Sequence, residues 1–134
     1  MNNATSSLLL YDVSLPQHRY YELVEELRWR VTSQLPDALV VGFGHLGDGN
    51  LHLNVQTSTG GEQAAAQALA LVEPYIFEWS AEAGGSVSAE HGLGTKRQQY
   101  LGLAKPPEVI AAMRCIKTQF DPKGIMNPYK VFPD

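Results

Sequence analysis

The 134-residue chain reads as an α+β fold, an antiparallel sheet with helices on one face. Three observations predict it. Asp48-Gly49 lies between two alternating apolar runs, a strong hairpin signal because a type I′ turn needs positive φ at both central residues. Other segments repeat apolar residues at helical spacing. The resulting order is helix, hairpin, helix, strand, helix, which suits one sheet covered on one side.

Taken in order, residues 1–10 read as an untethered start, and Asp12-Val13-Ser14-Leu15-Pro16 leads into the first helix. Ser14 with Gln17 fits a capping box, and Pro16 suits a first turn. Tyr20, Val24, Leu27 and Val31 share one helical face and should be core, while Glu22, Glu25, Glu26, Arg28 and Arg30 mostly fall elsewhere. Pro36 closes this element. Leu39 to His45 reads as a strand and Leu51 to Gln56 as its hairpin partner. Thr59-Gly60-Gly61-Glu62 opens a second helix with a capping-box pattern. Its stripe is Leu69, Val72, Ile76 and Trp79, and Pro74 should kink or interrupt it. Gly84-Gly85 ends it, and Ser86 to Glu90 reads as a short strand. A third helix starts near Pro106-Pro107. Val109, Ile110, Met113, Ile116, Lys117 and Phe120 place a mostly apolar stripe inward. Asp121-Pro122-Lys123-Gly124 stops it before an irregular tail.

Hydrophobic residues make up 44% of the chain and charged residues 18%, which fits one packed domain rather than disorder. The net charge is −4 and the basic residues are scattered, so no footprint for nucleic acid is present. No run approaches the roughly 18 consecutive apolar residues of a membrane span. Ser7 to Tyr11 is too short for a secretory signal and lacks a basic start, and Met1 to Ser7 carries no arginine for a presequence. One cysteine, Cys115, excludes an intrachain disulfide. Its apolar helical surroundings make it an expected core residue.

The candidate chemistry starts at the hairpin. If Asp48-Gly49 is a two-residue loop, His45 pairs with His52, with Cβ atoms roughly 4.5–5.5 Å apart on one face. Two imidazoles at that separation could hold one metal ion. Alternation places Asn54 beside His52, with Val41 and Phe43 as an apolar wall in line with His45. The second group is Ser88-Ala89-Glu90-His91. On an extended backbone Glu90 and His91 point to opposite sides, so one metal is not expected to take both. Glu90 could complete a set with His45 and His52, because three protein ligands and an open position make a catalytic zinc site. His91 then stays free as a general base. Iron(II) accepts the same set, so zinc, manganese and iron are all open. The plain alternatives are polar histidines at a surface turn and a solvated Glu-His pair. His18 reads as a solvated helix residue. Gly42, Gly44, Gly47 and Gly49 near the first histidine, and Gly92 and Gly94 near the last, permit close backbone approach. No dinucleotide fingerprint or Walker loop is present.

Three strings carry a family likeness: Gly44-His45-Leu46-Gly47-Asp48-Gly49-Asn50-Leu51-His52, then Glu90-His91-Gly92, then Asp121-Pro122-Lys123-Gly124-Ile125-Met126-Asn127-Pro128-Tyr129-Lys130. In this order they resemble the C-terminal part of FAD-linked 2-hydroxy acid dehydrogenases, flavoproteins of the vanillyl-alcohol-oxidase type. The likeness covers about residues 11–132. It implies a ferredoxin-like substrate or cap domain plus a C-terminal helical tail over residues 11–134, with residues 1–10 outside it. It implies a divalent metal, usually zinc, on His45, His52 and Glu90. Asn54 would contact substrate, His91 would be the base, and Asn127 would lie near the FAD.

The implied reaction oxidises a small 2-hydroxy acid, with D-lactate and glycolate among the alternatives. A metal would polarise the hydroxyl, His91 would take its proton, and the hydride would pass to the flavin. An electron acceptor such as an electron-transfer flavoprotein, and a mitochondrial location, follow from the resemblance alone. Two departures matter. The family's FAD-binding domain lies N-terminal to this region, so the chain is expected to be a fragment without turnover of its own. Leu10 stands where close members carry a substrate-binding lysine, so the pocket is expected to be incomplete. The rival from another class is a non-catalytic metal-binding or interaction module derived from this family.

Overall fold

A computed structural model describes residues 6–58 and 61–133. The chain divides into two compact units, Met1–Glu90 and His91–Asp134. In the first, Ser7–Ser14 forms β1, Glu22–Thr32 α1, Leu39–His45 β2, Asn50–Thr57 β3, Gly61–Val72 α2 and Tyr75–Glu82 α3. The strands make an antiparallel sheet in the order β1-β3-β2. The α+β class with an antiparallel sheet is therefore present.

Alternation along β3 divides the sheet into two faces. Leu51, Leu53 and Val55 are fully buried, as are Leu23, Val24, Leu27 and Val31 of α1 and Ala68 and Val72 of α2. Each such aliphatic side chain larger than alanine contributes roughly 1.5–3 kcal/mol by leaving water. α1 packs on β2, and α2 packs on β1 and β3. A Cβ on Gly42 would stand 2.4 Å from Cγ2 of Val24, so this glycine lets α1 lie close to β2. The opposite face carries His52 and Asn54 among the exposed side chains of Leu8, Leu10, Leu39, Val41 and Phe43.

Several expectations need correction. Residues 7–10 are not untethered: they belong to β1, whose Tyr11 and Val13 are buried opposite Leu53 and Leu51. The Ser14–Gln17 capping box does not form. Gln17–Arg19 is a short 3₁₀ turn without a side-chain cap, and α1 starts at Glu22. Gln17 Nε2 instead donates to the carbonyls of Leu46 and Gly47. Ser86 to Glu90 is not a strand. It makes a single bridge, Ser14 to Ser86, because Ser86 and Ser88 bond locally and the N–H groups beyond go to a carboxylate. Pro74 does separate α2 from α3. The capping pattern at Thr59 and Gly60 lies outside the described residues.

In the second unit, Leu101–Ala104 forms α4 and Pro107–Phe120 forms α5. α5 ends at Asp121, whose carboxylate accepts from Lys117 Nζ at 2.6 Å and from the N–H groups of Ile125 and Met126. No residue of α5 is buried: Ile116 is 60% and Phe120 79% exposed, and Cys115 is exposed too. The inward stripe and the core cysteine are thus corrected. The amphipathic pattern specifies a face but not what covers it. Among the described residues no helix is long and apolar enough to cross a membrane.

Candidate functional site

The hairpin differs from the two-residue turn that Asp48-Gly49 suggests. Gly49 has φ 66°, but Asp48 is not among the positive-φ residues, so type I′ is excluded. Leu46–Asp48 forms a 3₁₀ turn closed by the Gly49 N–H on the Leu46 carbonyl at 3.2 Å. His45 therefore pairs with Asn50, and Phe43 pairs with His52. The register moves by two residues, and a shift of two keeps every side chain on its face. His45 and His52 become diagonal neighbours, with ring centroids 5.7 Å apart and nearly perpendicular.

His52 lies at the centre of the polar face. Asp12 stands opposite it on β1 and Phe43 opposite it on β2. The Phe43 ring centroid is 5.3 Å from that of His52. Glu90 Oε1 lies 3.1 Å from His52 Nε2, and Asp12 Oδ1 lies 3.8 Å from His52 Nδ1. Asp12, His52 and Glu90 each offer a ligand-type atom within 4.8 Å of the others. This mixed nitrogen and carboxylate donor set fits a divalent transition metal.

Asp12 is fully buried, and its Oδ2 accepts from Ser88 Oγ at 3.1 Å and from the N–H groups of Ala89 and Glu90 at 3.0 Å each. These bonds join the Ser88–Glu90 segment to the sheet and bring Glu90 to His52. A polar groove of about 390 Å³ beside them is lined by Ser14, Asp48, Asn50, Ser88 and Glu90, among others.

The structure thus brings Glu90 to His52 and sets the His45 ring beside His52, but His45 is not in the donor cluster of Asp12, His52 and Glu90; Asn54 lies next along the same face of β3. Asn54 is half-buried and pairs with Leu10, which is 54% exposed. His91 is exposed and opens the second unit. Asn127, also in that unit, is exposed with φ 49°. Sequence reasoning missed Asp12. The signal was available: a lone carboxylate inside the apolar run Leu8 to Val13 belongs on a strand only where it has partners.

The family described as "FAD linked oxidases, C-terminal domain" matches residues 1–131, and the chain belongs to that family. Similar relatives are named "D-2-hydroxyglutarate dehydrogenase, mitochondrial". The Bos taurus protein is 53% identical over 92% of this chain and 22% of its own length. The Rattus norvegicus protein is 51% identical over the same shares. The Arabidopsis thaliana protein is 47% identical over 92% of this chain and 21% of its own. The chain spans about a fifth of the length of these curated relatives.

Proposed function

We propose that this chain supplies the metal- and substrate-binding part, a ferredoxin-like cap, of a FAD-dependent D-2-hydroxy acid dehydrogenase. The proposed substrate is D-2-hydroxyglutarate and the product 2-oxoglutarate. The observation that carries this reading is the 3.1 Å approach of Glu90 to Nε2 of His52, with the His45 ring alongside. His45, His52 and Glu90 are the proposed ligands of a divalent cation, zinc in the first instance. A bound cation supplies Lewis acidity toward the substrate oxygens, and a bound flavin supplies the redox chemistry.

The chain's own residues have distinct proposed tasks. Asn54, on the same face as His52, donates a hydrogen bond to substrate. His91, adjacent to Glu90 in sequence, receives the hydroxyl proton. Phe43 and Val41 exclude water from one flank of His52. Asn127 is proposed to contact the flavin. The relatives' names support a mitochondrial location, and an electron-transfer flavoprotein is the proposed acceptor.

Metal content tests the reading. The wild-type chain should retain about one zinc per chain after dialysis. His52→Ala and Glu90→Ala should each lose it, and D-2-hydroxyglutarate should perturb the visible spectrum of the cobalt-loaded protein. Equal metal retention in wild type and both variants would contradict the ligand assignment.

A further inference from the structure

We propose that Asp12 is a positioning residue for His52. Its buried carboxylate holds the imidazole with Nδ1–H turned inward, and so presents Nε2 beside Glu90 for a metal. The inference rests on the metal-site reading above and gives a role to a member of the donor cluster that this reading does not assign as a ligand.

The geometry separates the two carboxylates. Glu90 Oε1 lies within hydrogen-bond reach of Nε2 at 3.1 Å, whereas Asp12 Oδ1 faces Nδ1 at 3.8 Å, an ion-pair distance longer than a hydrogen bond. These atoms lie on different edges of one ring, so a cation shared by His52 and Glu90 at Nε2 leaves the Nδ1 edge to Asp12. Strand register fixes this arrangement, because Asp12 and His52 are directly opposed on β1 and β3. The second oxygen of Asp12 is occupied by Ser88 Oγ and the N–H groups of Ala89 and Glu90. One carboxylate therefore orients the imidazole and also holds the backbone that carries Glu90.

Burial decides which carboxylate controls the ring. The Asp12 side chain is fully buried, while that of Glu90 is 47% exposed. Glu90 can turn into water, but Asp12 cannot, and a charge in a drier surrounding orients a neighbouring dipole more strongly. Metal-bound histidines commonly donate their second N–H to a carboxylate or carbonyl, and losing that partner typically costs about 10–100-fold in metal affinity.

The test uses the 134-residue chain with Asp12→Asn and Ser88→Ala. Asp12→Asn keeps the shape and an acceptor for the Ala89 and Glu90 N–H groups, but can turn an amide NH₂ toward Nδ1. Chelator competition should show zinc bound about 10–100-fold more weakly in Asp12→Asn. Ser88→Ala removes one of the three bonds to Asp12 Oδ2 but leaves the carboxylate facing His52, and should weaken zinc binding clearly less than Asp12→Asn does. Imidazole ¹⁵N shifts of the zinc-loaded protein should show Nε2 on the metal and the proton on Nδ1 in wild type, and loss of that single arrangement in Asp12→Asn. Unchanged affinity in Asp12→Asn, equal weakening in both variants, or a wild-type proton on Nε2 would overturn the proposal. If wild type takes up no zinc, the metal-site reading fails and this proposal with it, whereas zinc uptake with unaltered Asp12→Asn affinity overturns this proposal alone. The wild-type tautomer also decides it if Asp12→Asn does not fold.

Discussion

Glu26 and Tyr75 show at residue scale how an exposed-face carboxylate can be drawn into the fold. Glu26 on α1 accepts from the Tyr75 hydroxyl and from Trp79 Nε1, both on α3. Arg19 lies over the Trp79 ring at 4.5 Å, and Arg30 lies at the same distance over Tyr75. Burial, followed by the Glu26 carboxylate, pushes the Tyr75 hydroxyl up to about 12. The neutral phenol is thus favoured in the folded state. Its contribution to stability is complete below the ordinary tyrosine value of about 10 and is lost as pH rises toward 12. Unfolding midpoints measured across that window should fall for wild type, and Tyr75→Phe should remove the tyrosine's share of the fall. An identical slope in the variant would contradict this account.

Single elements show why some features were legible in sequence and others were not. β2 and β3 were readable from alternation, and their facing sides survived even though the turn did not. The dipeptide Asp48-Gly49 marks the hairpin correctly, but only Gly49 takes positive φ, so the loop is four residues long rather than two. Parity then preserved the neighbourhood of His45 and His52. β1 was illegible because its solvent side carries Leu8 and Leu10, which blunts the alternation. Missing β1 also concealed Asp12, since its value depends on a strand neighbour 40 residues away at His52.

Gly49 is the most sensitive point of the hairpin. A Cβ there would stand 2.3 Å from the Leu15 carbonyl oxygen, which belongs to backbone and cannot swing away. The residue also has φ 66°. Gly49→Ala should cost about 1–3 kcal/mol from the backbone conformation, with the clash adding to it. Urea denaturation measures this directly. A variant as stable as wild type would show that the loop relaxes freely.

At the scale of the whole molecule, the proposed site draws on parts of the chain far apart in sequence. β1 provides Asp12, the hairpin provides His45 and His52, and the segment after α3 provides Glu90. The helical layer on one face leaves the other open, with His52 and Asn54 set among exposed apolar side chains. In α5 the helical pattern was readable, but its exposed Ile116 and Phe120 were not, because spacing defines a stripe without its partner. The family likeness was legible because its three strings are distinctive in themselves and keep their order. The central claim is that His45, His52 and Glu90 share one divalent cation. X-ray absorption at the zinc edge of the metal-loaded wild-type chain tests it most directly. Two imidazole nitrogens at about 2.0–2.1 Å with a carboxylate oxygen are expected, falling to one imidazole in His45→Ala. A shell of water oxygens without histidine scattering would contradict it.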